Sequence, residues 1–262
     1  MPVVPNKTIG IHYEVHGTGQ PVVLLHGATV NFKANYGGFG WIKALNEAGF
    51  QVIGLDFRGH GASDKPHESS AYGSAALASD VLAVLDHLGV TQTAVVGYSI
   101  GTVVALHLLQ TAPARFTKAV LLATGDGLIG LGPHTFARTM PALAPVLERN
   151  EYPKDLPKHL AAYWNFINAT GGDRAALRAL SLADYPALTA AEAADITLPT
   201  LVISGEKDLV LGQGPQLAAA LGSGQYVQMA GADHFSLATD PAVKAEVARF
   251  LQAMDGRASA AA

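Results

Sequence analysis

Cysteine is absent from the 262-residue chain, and charged side chains are sparse. Without cysteine the chain can form neither disulfides nor thiolate metal sites, and it offers no cysteine nucleophile. Charged residues make up 15% of the chain, and 17 basic against 21 acidic residues give a formal net charge of -4. Because no basic tract stands out, neither nucleic acid nor an anionic membrane is predicted as a partner. No apolar run is long enough to span a bilayer.

The two ends of the chain carry no targeting pattern. The amino-terminal stretch MPVVPNKTIG lacks the basic and apolar segments of a secretory signal, so a cytoplasmic location is expected. The last eight residues, DGRASAAA, are predicted to form a frayed tail. Hydrophobic residues reach 49%, which suffices for a large core within one α/β domain. The sequence does not indicate an oligomeric state.

Short apolar runs alternate with amphipathic segments along the chain. The runs predicted to be strands are 8–17, 21–27, 51–61, 93–99, 118–125, 200–205 and 225–231. All but the first are largely continuous in apolar residues, which is typical of strands buried on both faces. The segments predicted to be helices include 75–90, 101–113 and 240–254. This alternation predicts an α/β fold with a mostly parallel, doubly wound sheet.

Residues 126–199 interrupt the alternation, because they show helical patterning and no convincing strand. Many of the larger apolar side chains fall here: Phe136, Met140, Leu147, Tyr152, Tyr163, Trp164, Phe166 and Tyr185. We predict that 1–125 and 200–262 form the core, and that the intervening segment is a helical lid inserted before the last two strands. Such a lid would cover the carboxyl ends of the strands, where open α/β sheets bind ligands. The alternative is a set of extra core helices that close the sheet edge.

A serine stands at the end of one apolar run, in the sequence GYSIG. Ser99 follows a predicted strand and precedes a predicted helix, with Gly97 and Gly101 on either side of it. This context predicts a nucleophile elbow, a strained turn that raises the hydroxyl clear of the sheet. Side chains at the two glycines would collide where the strand and the helix meet.

A serine hydroxyl becomes a good nucleophile only when a base removes its proton, and histidine has the appropriate pKa. Among ten histidines, His234 is favoured because it follows the last predicted strand, on the side of the sheet that carries Ser99. A capping or loop-bonding role is the alternative. Asp208, in the loop after the preceding strand, is predicted to orient this base. The other acidic candidates are Asp126, which ranks next, Glu206 and Asp233.

Acyl transfer also requires donors for the developing oxyanion. The backbone N–H groups of Ile100 and Ala28 are predicted to supply them, while His26 is expected to tie down its own loop. The candidate substrate contacts are Tyr98, Phe136, Trp164 and Phe166. No metal site is predicted, and the glycines do not have the spacing of a dinucleotide-binding loop, so no cofactor is expected.

Five segments together resemble the α/β-hydrolase superfamily over nearly the whole chain: HGA at 26–28, DFRGHGASDKP at 56–66, GYSIG at 97–101, PTLVISGEKD at 199–208 and GADHF at 231–235. The resemblance is closest to small, lid-bearing esterases, enol-lactonases and carbon–carbon bond hydrolases. It implies that Asp56, Arg58 and His60 belong to a structural loop. Haloalkane dehalogenases and epoxide hydrolases carry aspartate at the elbow, so Ser99 argues against both. Thr102 replaces a third glycine of many relatives and is expected to narrow the floor of the pocket.

The main functional hypothesis is therefore a serine hydrolase that cleaves small carboxylic esters through an acyl-enzyme. An enol-lactonase or a carbon–carbon bond hydrolase with the same triad is the alternative enzyme. A non-turnover receptor on the same fold is a third hypothesis, but a receptor needs no base. The substrate itself is not encoded in any motif, because fold does not fix function.

Overall fold

The computed structural model describes residues 2–253, so Met254 of the last predicted helix and the predicted tail lie outside the described residues. Its strands are β1 Val3–Asn6, β2 Ile9–His16, β3 Gln20–Leu25, β4 Phe50–Leu55, β5 Thr93–Tyr98, β6 Phe116–Leu122, β7 Thr200–Gly205 and β8 Gly224–Met229. They form one sheet in the order β1-β2-β4-β3-β5-β6-β7-β8. The pairings of β2 with β1 and with β4 are antiparallel, and the remaining pairings are parallel.

The α-helices of the described residues are α1 Trp41–Glu47, α2 Ser74–His87, α3 Ile100–Thr111, α4 Phe136–Thr139, α5 Ala144–Leu147, α6 Lys158–Thr170, α7 Arg174–Ser181, α8 Ala190–Ala194, α9 Pro215–Ala220 and α10 Pro241–Gln252. A π-helical turn covers Lys33–Gly37. Asp240 caps α10 as its side chain accepts a hydrogen bond from the Ala242 N–H, and Pro241 takes the first helical position. No helix within residues 2–253 has both the length and the apolar character needed to cross a membrane.

The core divides into two apolar layers, one on each face of the sheet. Successive residues of β3 point to opposite faces, so Val22 packs in one layer and Val23 in the other. The layer of Val22 contains Trp41 of α1 and residues of α10, whereas the layer of Val23 contains Leu77 of α2 and Val104 of α3. Helices therefore cover both faces, as the alternation of strands and helices predicts.

The two edges of the sheet differ from the sequence expectation. The short strand β1, with the sequence VVPN, shows too little apolar alternation to be predicted, yet it pairs with β2. The segment 225–231 was expected to form a strand buried on both faces, but β8 is an edge strand whose Gln225 and Gln228 are exposed. The burial of a strand depends on which strands lie beside it, and the composition of a short apolar run does not show which strands those are.

The segment 126–199 contains α4 to α8 and no strand. It connects β6 to β7, which lie side by side in the sheet. A hydrogen bond from the Thr170 hydroxyl of α6 to the Thr29 carbonyl, 3.2 Å long, joins this segment to the loop that follows β3. The segment therefore reaches the edge of the sheet at which the parallel strands end.

Candidate active site

Ser99 occupies a sharp turn between β5 and α3. Its φ of 53° and ψ of -114° place it in the left-handed half of backbone space, which is uncommon for residues other than glycine. A Cβ atom on Gly97 would clash with the Gly101 carbonyl, and one on Gly101 would clash with the Leu25 carbonyl. The two glycines therefore allow the strand, the turn and the helix to approach closely.

Three side chains from separate loops meet at this turn. His234 Nε2 lies 3.1 Å from Ser99 Oγ, and His234 Nδ1 lies 2.8 Å from Asp208 Oδ2. The other carboxylate oxygen of Asp208 accepts hydrogen bonds from the backbone N–H groups of Val210 and Leu211. An ionised carboxylate only accepts hydrogen bonds, so the proton of a neutral His234 resides on Nδ1 and leaves Nε2 free to accept from the Ser99 hydroxyl.

Electrostatics favour the ionised form of Asp208. Burial by itself would raise the pKa of this carboxyl, but the His234 ring and the two backbone N–H donors outweigh burial and lower the pKa below its ordinary value. Asp208 therefore remains a carboxylate at neutral pH. In that state it can hold the His234 ring and stabilise the imidazolium that forms when the ring takes a proton.

The competing acidic side chains are engaged elsewhere. Asp126 Oδ1 accepts a hydrogen bond from the Leu217 N–H at the start of α9, at 2.8 Å. Glu206 accepts from the Gly231 N–H, and Asp233 accepts from backbone N–H groups of its own loop. The structure thus brings Asp208, and none of these three, into hydrogen-bond contact with His234.

The loop after β3 is fixed from two sides. The Gly27 N–H donates to Asn35 Oδ1 at 2.8 Å, and His26 Nδ1 donates to the Gly27 carbonyl at 2.8 Å. His26 Nε2 accepts from the Phe57 N–H, so both ring nitrogens serve the loop, as the sequence predicts, and burial lowers the pKa of His26. Since C=O and N–H point in opposite directions in a trans peptide, the Ala28 N–H points away from the His26 ring.

Both candidate oxyanion donors are available for a ligand. Ile100 is the first residue of α3, where N–H groups have no partner inside the helix. Neither the Ile100 N–H nor the Ala28 N–H donates to another group among residues 2–253. A pair of free N–H groups beside a nucleophile can stabilise a developing negative charge on oxygen.

A cavity of about 380 Å³ opens beside the Ser99 hydroxyl. Its lining residues are Gly27, Ala28, Val30, Ala34, Asn35, Phe39, Tyr98, Ser99, Tyr163, Phe166, Asp233, His234, Phe235, Ser236, Ala238 and Thr239. Apolar side chains dominate, and the lining includes neither lysine nor arginine. In the described part of the chain, no group of three or more His, Asp or Glu side chains is arranged to hold a metal ion.

The candidate substrate contacts divide into two pairs. Tyr98 and Phe166 line the cavity, whereas Phe136 and Trp164 are not among the lining residues. Phe136 is buried against Tyr185, with ring centroids 5.5 Å apart, and the Trp164 ring packs against another aromatic ring of the same segment, Tyr152. The rings of Phe136 and Trp164 therefore stabilise the packing within 126–199. Composition alone cannot distinguish such rings from rings that line a pocket.

Sequence reasoning missed four polar residues of the lining, Asn35, Tyr163, Ser236 and Thr239. Tyr163 precedes Phe166 by three positions on α6, so helical spacing could have placed both on one face. Asn35 lies on the π-helical turn Lys33–Gly37, and no pattern in the sequence signals such a turn.

Thr102 has a different role from the expected one. Its side chain is fully buried and does not line the cavity, so it does not narrow the pocket floor. Its hydroxyl donates to the Ser99 carbonyl at 2.6 Å, and its oxygen lies 3.2 Å from the Thr124 hydroxyl, from which it can accept. Its N–H also donates to the Ser99 carbonyl. Thr102 therefore stabilises the turn that carries Ser99.

The loop that follows β4 makes structural contacts away from the cavity. Asp56 accepts hydrogen bonds from the N–H groups of Phe32 and Ala62. Arg58 forms a buried ion pair with Asp80 of α2, with 2.6 Å between the closest atoms. These contacts tie the loop to its surroundings, in keeping with the structural role that the family resemblance implies.

Comparisons with known proteins agree with this architecture. The family model described as the α/β hydrolase fold matches residues 20–190. A putative non-heme chloroperoxidase from Synechocystis sp. is 31% identical over 239 residues, which cover 79% of this chain and 80% of that protein.

Two solved structures superpose on nearly the whole chain. One, described as Est816, an N-acyl homoserine lactone degrading enzyme, is 28% identical, with a TM-score of 0.74 and coverage of 95% of this chain and 99% of that one. The enol-lactonase from Burkholderia xenovorans LB400 is 27% identical, with a TM-score of 0.71 and coverage of 96% and 100%. From its family match and its fold, the chain belongs to the α/β-hydrolase fold family and is a hydrolase.

Proposed function

We propose that this hydrolase cleaves carboxylic esters through an acyl-enzyme formed on Ser99. The observation that carries the proposal is the continuous contact from Asp208 through His234 to Ser99, with distances of 2.8 and 3.1 Å, at the wall of an apolar cavity. A nucleophile, a base and an orienting acid in this order are the parts that acyl transfer requires.

Each group has one task in the proposed reaction. Ser99 Oγ attacks the ester carbonyl while His234 Nε2 takes its proton, and the N–H groups of Ala28 and Ile100 donate to the resulting oxyanion. His234 then gives the proton to the leaving alkoxide, and the alcohol departs. Water attacks the acyl-enzyme in the second half, with His234 again acting as the base, and the acid is released.

The cavity supports a neutral substrate of modest size. Its volume lies at the lower end of the range of about 300–1,000 Å³ found for ligand pockets. A substrate carboxylate inside it would meet Asp233 and no compensating cation among the lining residues. Five of the basic residues of 126–199 are exposed (Arg138, Arg149, Lys154, Lys158 and Arg178), and the sixth, Arg174, bonds to backbone carbonyls of α5.

Lactone hydrolysis is the second candidate, because two structures above 25% identity are described as lactone-degrading and enol-lactonase enzymes. Both reactions use the same triad, so the substrate decides between them. We expect a higher kcat/KM for p-nitrophenyl butyrate than for 3-oxoadipate enol-lactone, which carries a charged carboxylate. A clear preference for the lactone would replace the esterase proposal by the lactonase one. A carbon–carbon bond hydrolase with the same triad stays a weaker alternative.

The nucleophile can be tested directly. Ser99→Ala should keep the fold and lower kcat for p-nitrophenyl butyrate by about a millionfold. Ser204→Ala is a matched control, because Ser204 is also a buried serine, near the end of β7, but its hydroxyl donates to the Thr124 carbonyl. An organophosphonate should label Ser99 alone, as read by mass spectrometry of peptides. An adduct on Ser63 or Ser204, or near wild-type activity in Ser99→Ala, would contradict the proposal.

The proposed reaction has a small-molecule ester as its partner and requires no cofactor. Turnover can be distinguished from mere binding by the time course of product release. A nitrophenol burst equal to the enzyme concentration with no turnover after it would favour a receptor on the hydrolase fold. Sustained release of nitrophenol at many times the enzyme concentration is the expected result.

A further inference from the structure

One hydroxyl in the cavity has no hydrogen-bond partner among the described residues. Tyr163 is 5% exposed and lines the cavity beside Ser99, yet its hydroxyl makes no hydrogen bond to any group within residues 2–253. By contrast, the hydroxyl of Tyr98, in the same cavity, donates to the His234 carbonyl. The Tyr163 hydroxyl is therefore an unused donor that a molecule bound in the cavity can meet.

The surroundings of Tyr163 fix which side of the cavity it occupies. Its ring packs edge-on against Phe235, with centroids 5.4 Å apart, and Phe235 packs against the His234 ring at 5.3 Å. The oxyanion donors come from other elements, the loop after β3 and the start of α3. Since His234 must reach the leaving oxygen to protonate it, we assign the groups packed around His234 to the leaving-group side of the scissile bond.

The Tyr163 hydroxyl also keeps its proton throughout the working pH range. Burial, and then the negative charge of Asp208, raise the pKa of Tyr163 above its ordinary value. The group therefore presents an O–H donor at neutral pH and is suited to a neutral acceptor oxygen.

Resting on the proposed ester hydrolysis, we propose that Tyr163 determines specificity by donating a hydrogen bond to a neutral acceptor oxygen in the alcohol part of the ester. The substrates favoured by this contact are esters of alcohols that carry an ether, carbonyl or hydroxyl oxygen close to the scissile bond. A site that hydrogen-bonds such an oxygen discriminates against the analogue that lacks it, because the analogue cannot accept from the donor in the cavity.

A pair of esters of equal length isolates this contact. The esters 2-methoxyethyl butanoate and n-butyl butanoate differ by one oxygen in place of one CH₂ in the alcohol part, and acid release in a pH-stat measures both. In the wild type, the ratio of their kcat/KM values should exceed the ratio of their rates of alkaline hydrolysis. Tyr163→Phe removes only the hydroxyl and should lower kcat/KM for the methoxyethyl ester about tenfold, with less than about a threefold change for the butyl ester.

Tyr185→Phe is the matched control, because Tyr185 is a buried tyrosine of the same segment whose hydroxyl donates to the Leu180 carbonyl, outside the cavity. This variant should leave the ratio of the two esters unchanged. An equal loss on both esters in Tyr163→Phe, or no change in the ratio, would overturn the specificity role while leaving ester hydrolysis in place. Absence of turnover of either ester by the wild type would overturn the proposed function and this inference together.

The wild-type ratio needs no variant, so the inference stays testable if Tyr163→Phe folds poorly. A wild-type ratio equal to that of alkaline hydrolysis would overturn it. Thermal unfolding of both variants, followed by circular dichroism, reports whether a loss of activity reflects a loss of fold.

Discussion

Asp208 and Asp126 both follow strands of the sheet, and their surroundings separate them. Asp208 is 4% exposed, holds the His234 ring with one oxygen and accepts two backbone N–H groups with the other. Asp126 accepts a backbone N–H of α9 and makes no contact with His234. Asp208 thus contacts the His234 ring, whereas Asp126 holds the start of α9 in place.

The two aspartates can be compared by the same isosteric change. Asp208→Asn should lower kcat by about ten-thousandfold, because an amide can donate to His234 Nδ1 and so favours the wrong tautomer. Asp126→Asn keeps an oxygen for the Leu217 N–H and should lower kcat less than about tenfold. Steady-state kinetics on p-nitrophenyl butyrate measure both values. The opposite ranking would move the acid to the loop after β6.

The sequence predicts which residues reach the site when they directly follow a strand of the sheet. It does not predict residues that an irregular stretch of backbone brings there. Ser99, Asp208 and His234 each follow a strand of the parallel part of the sheet, whose carboxyl ends share one edge. Asn35 enters the cavity through a π-helical turn, for which the sequence gives no periodic signal. Phe136 and the other aromatic residues that pack inside 126–199 are of the same types as residues that line pockets. Composition alone therefore could not distinguish the two groups.

At the scale of elements, the junction of β5 and α3 depends on hydrogen bonds as well as on small residues. The Thr102 hydroxyl bridges the Ser99 carbonyl and Thr124, in the loop that follows β6. A glycine at this position could not make that link. The junction of β5 and α3 is thereby joined to the loop that follows the neighbouring strand β6.

Thr102→Val removes the hydroxyl while keeping the branched shape. We expect the free energy of unfolding to fall by about 1 kcal/mol, the value of an ordinary hydrogen bond. Activity should fall by a similar factor for p-nitrophenyl acetate, butyrate and octanoate, because Thr102 does not line the cavity. Urea unfolding and kcat/KM over the three esters test both parts. A changed preference for acyl length would restore the pocket-floor role.

Helices and strands were predictable where their pattern of apolar residues was long, and ambiguous where that pattern was short. Strands β3 to β7 and helices α2, α3 and α10 fall within the predicted segments, apart from shifts of one or two residues at their ends, but the predicted segment 51–61 runs six residues past the end of β4. Strand β1 has four residues and a proline, and it exists because β2 offers an antiparallel partner. The position of 126–199 over the site stays a prediction at the level of domains, since a helical pattern does not specify what a helix covers.

For the molecule as a whole, uncharged buried histidines couple the fold to pH. His60 is buried, donates from Nδ1 to the Arg58 carbonyl, and lies with its ring centroid 4.9 Å from that of His26. Burial lowers the pKa of His60 to about 3, against 6.5 for an unperturbed histidine. Between these two values the unfolded chain binds a proton at this residue and the folded chain does not, so stability falls as the pH falls.

Measurements at two pH values test this coupling. His60 alone should contribute a loss of about 2 kcal/mol in the free energy of unfolding between pH 8 and pH 5, at about 1.4 kcal/mol for each pH unit below 6.5. Urea unfolding of the wild type should show at least this loss, and His60→Asn should show a loss smaller by about that amount. Parallel losses in the two proteins would contradict the assignment to His60.

The left-handed backbone at Ser99 disfavours the serine side chain that the proposed reaction requires. A residue with a Cβ held in such a conformation costs on the order of 1–3 kcal/mol, whereas glycine adopts it readily. Glycine would therefore suit the local backbone better than serine, and a sequence optimised for folding alone would not place serine here. Engineering for heat resistance that follows local conformational preference at every position would therefore remove the proposed nucleophile.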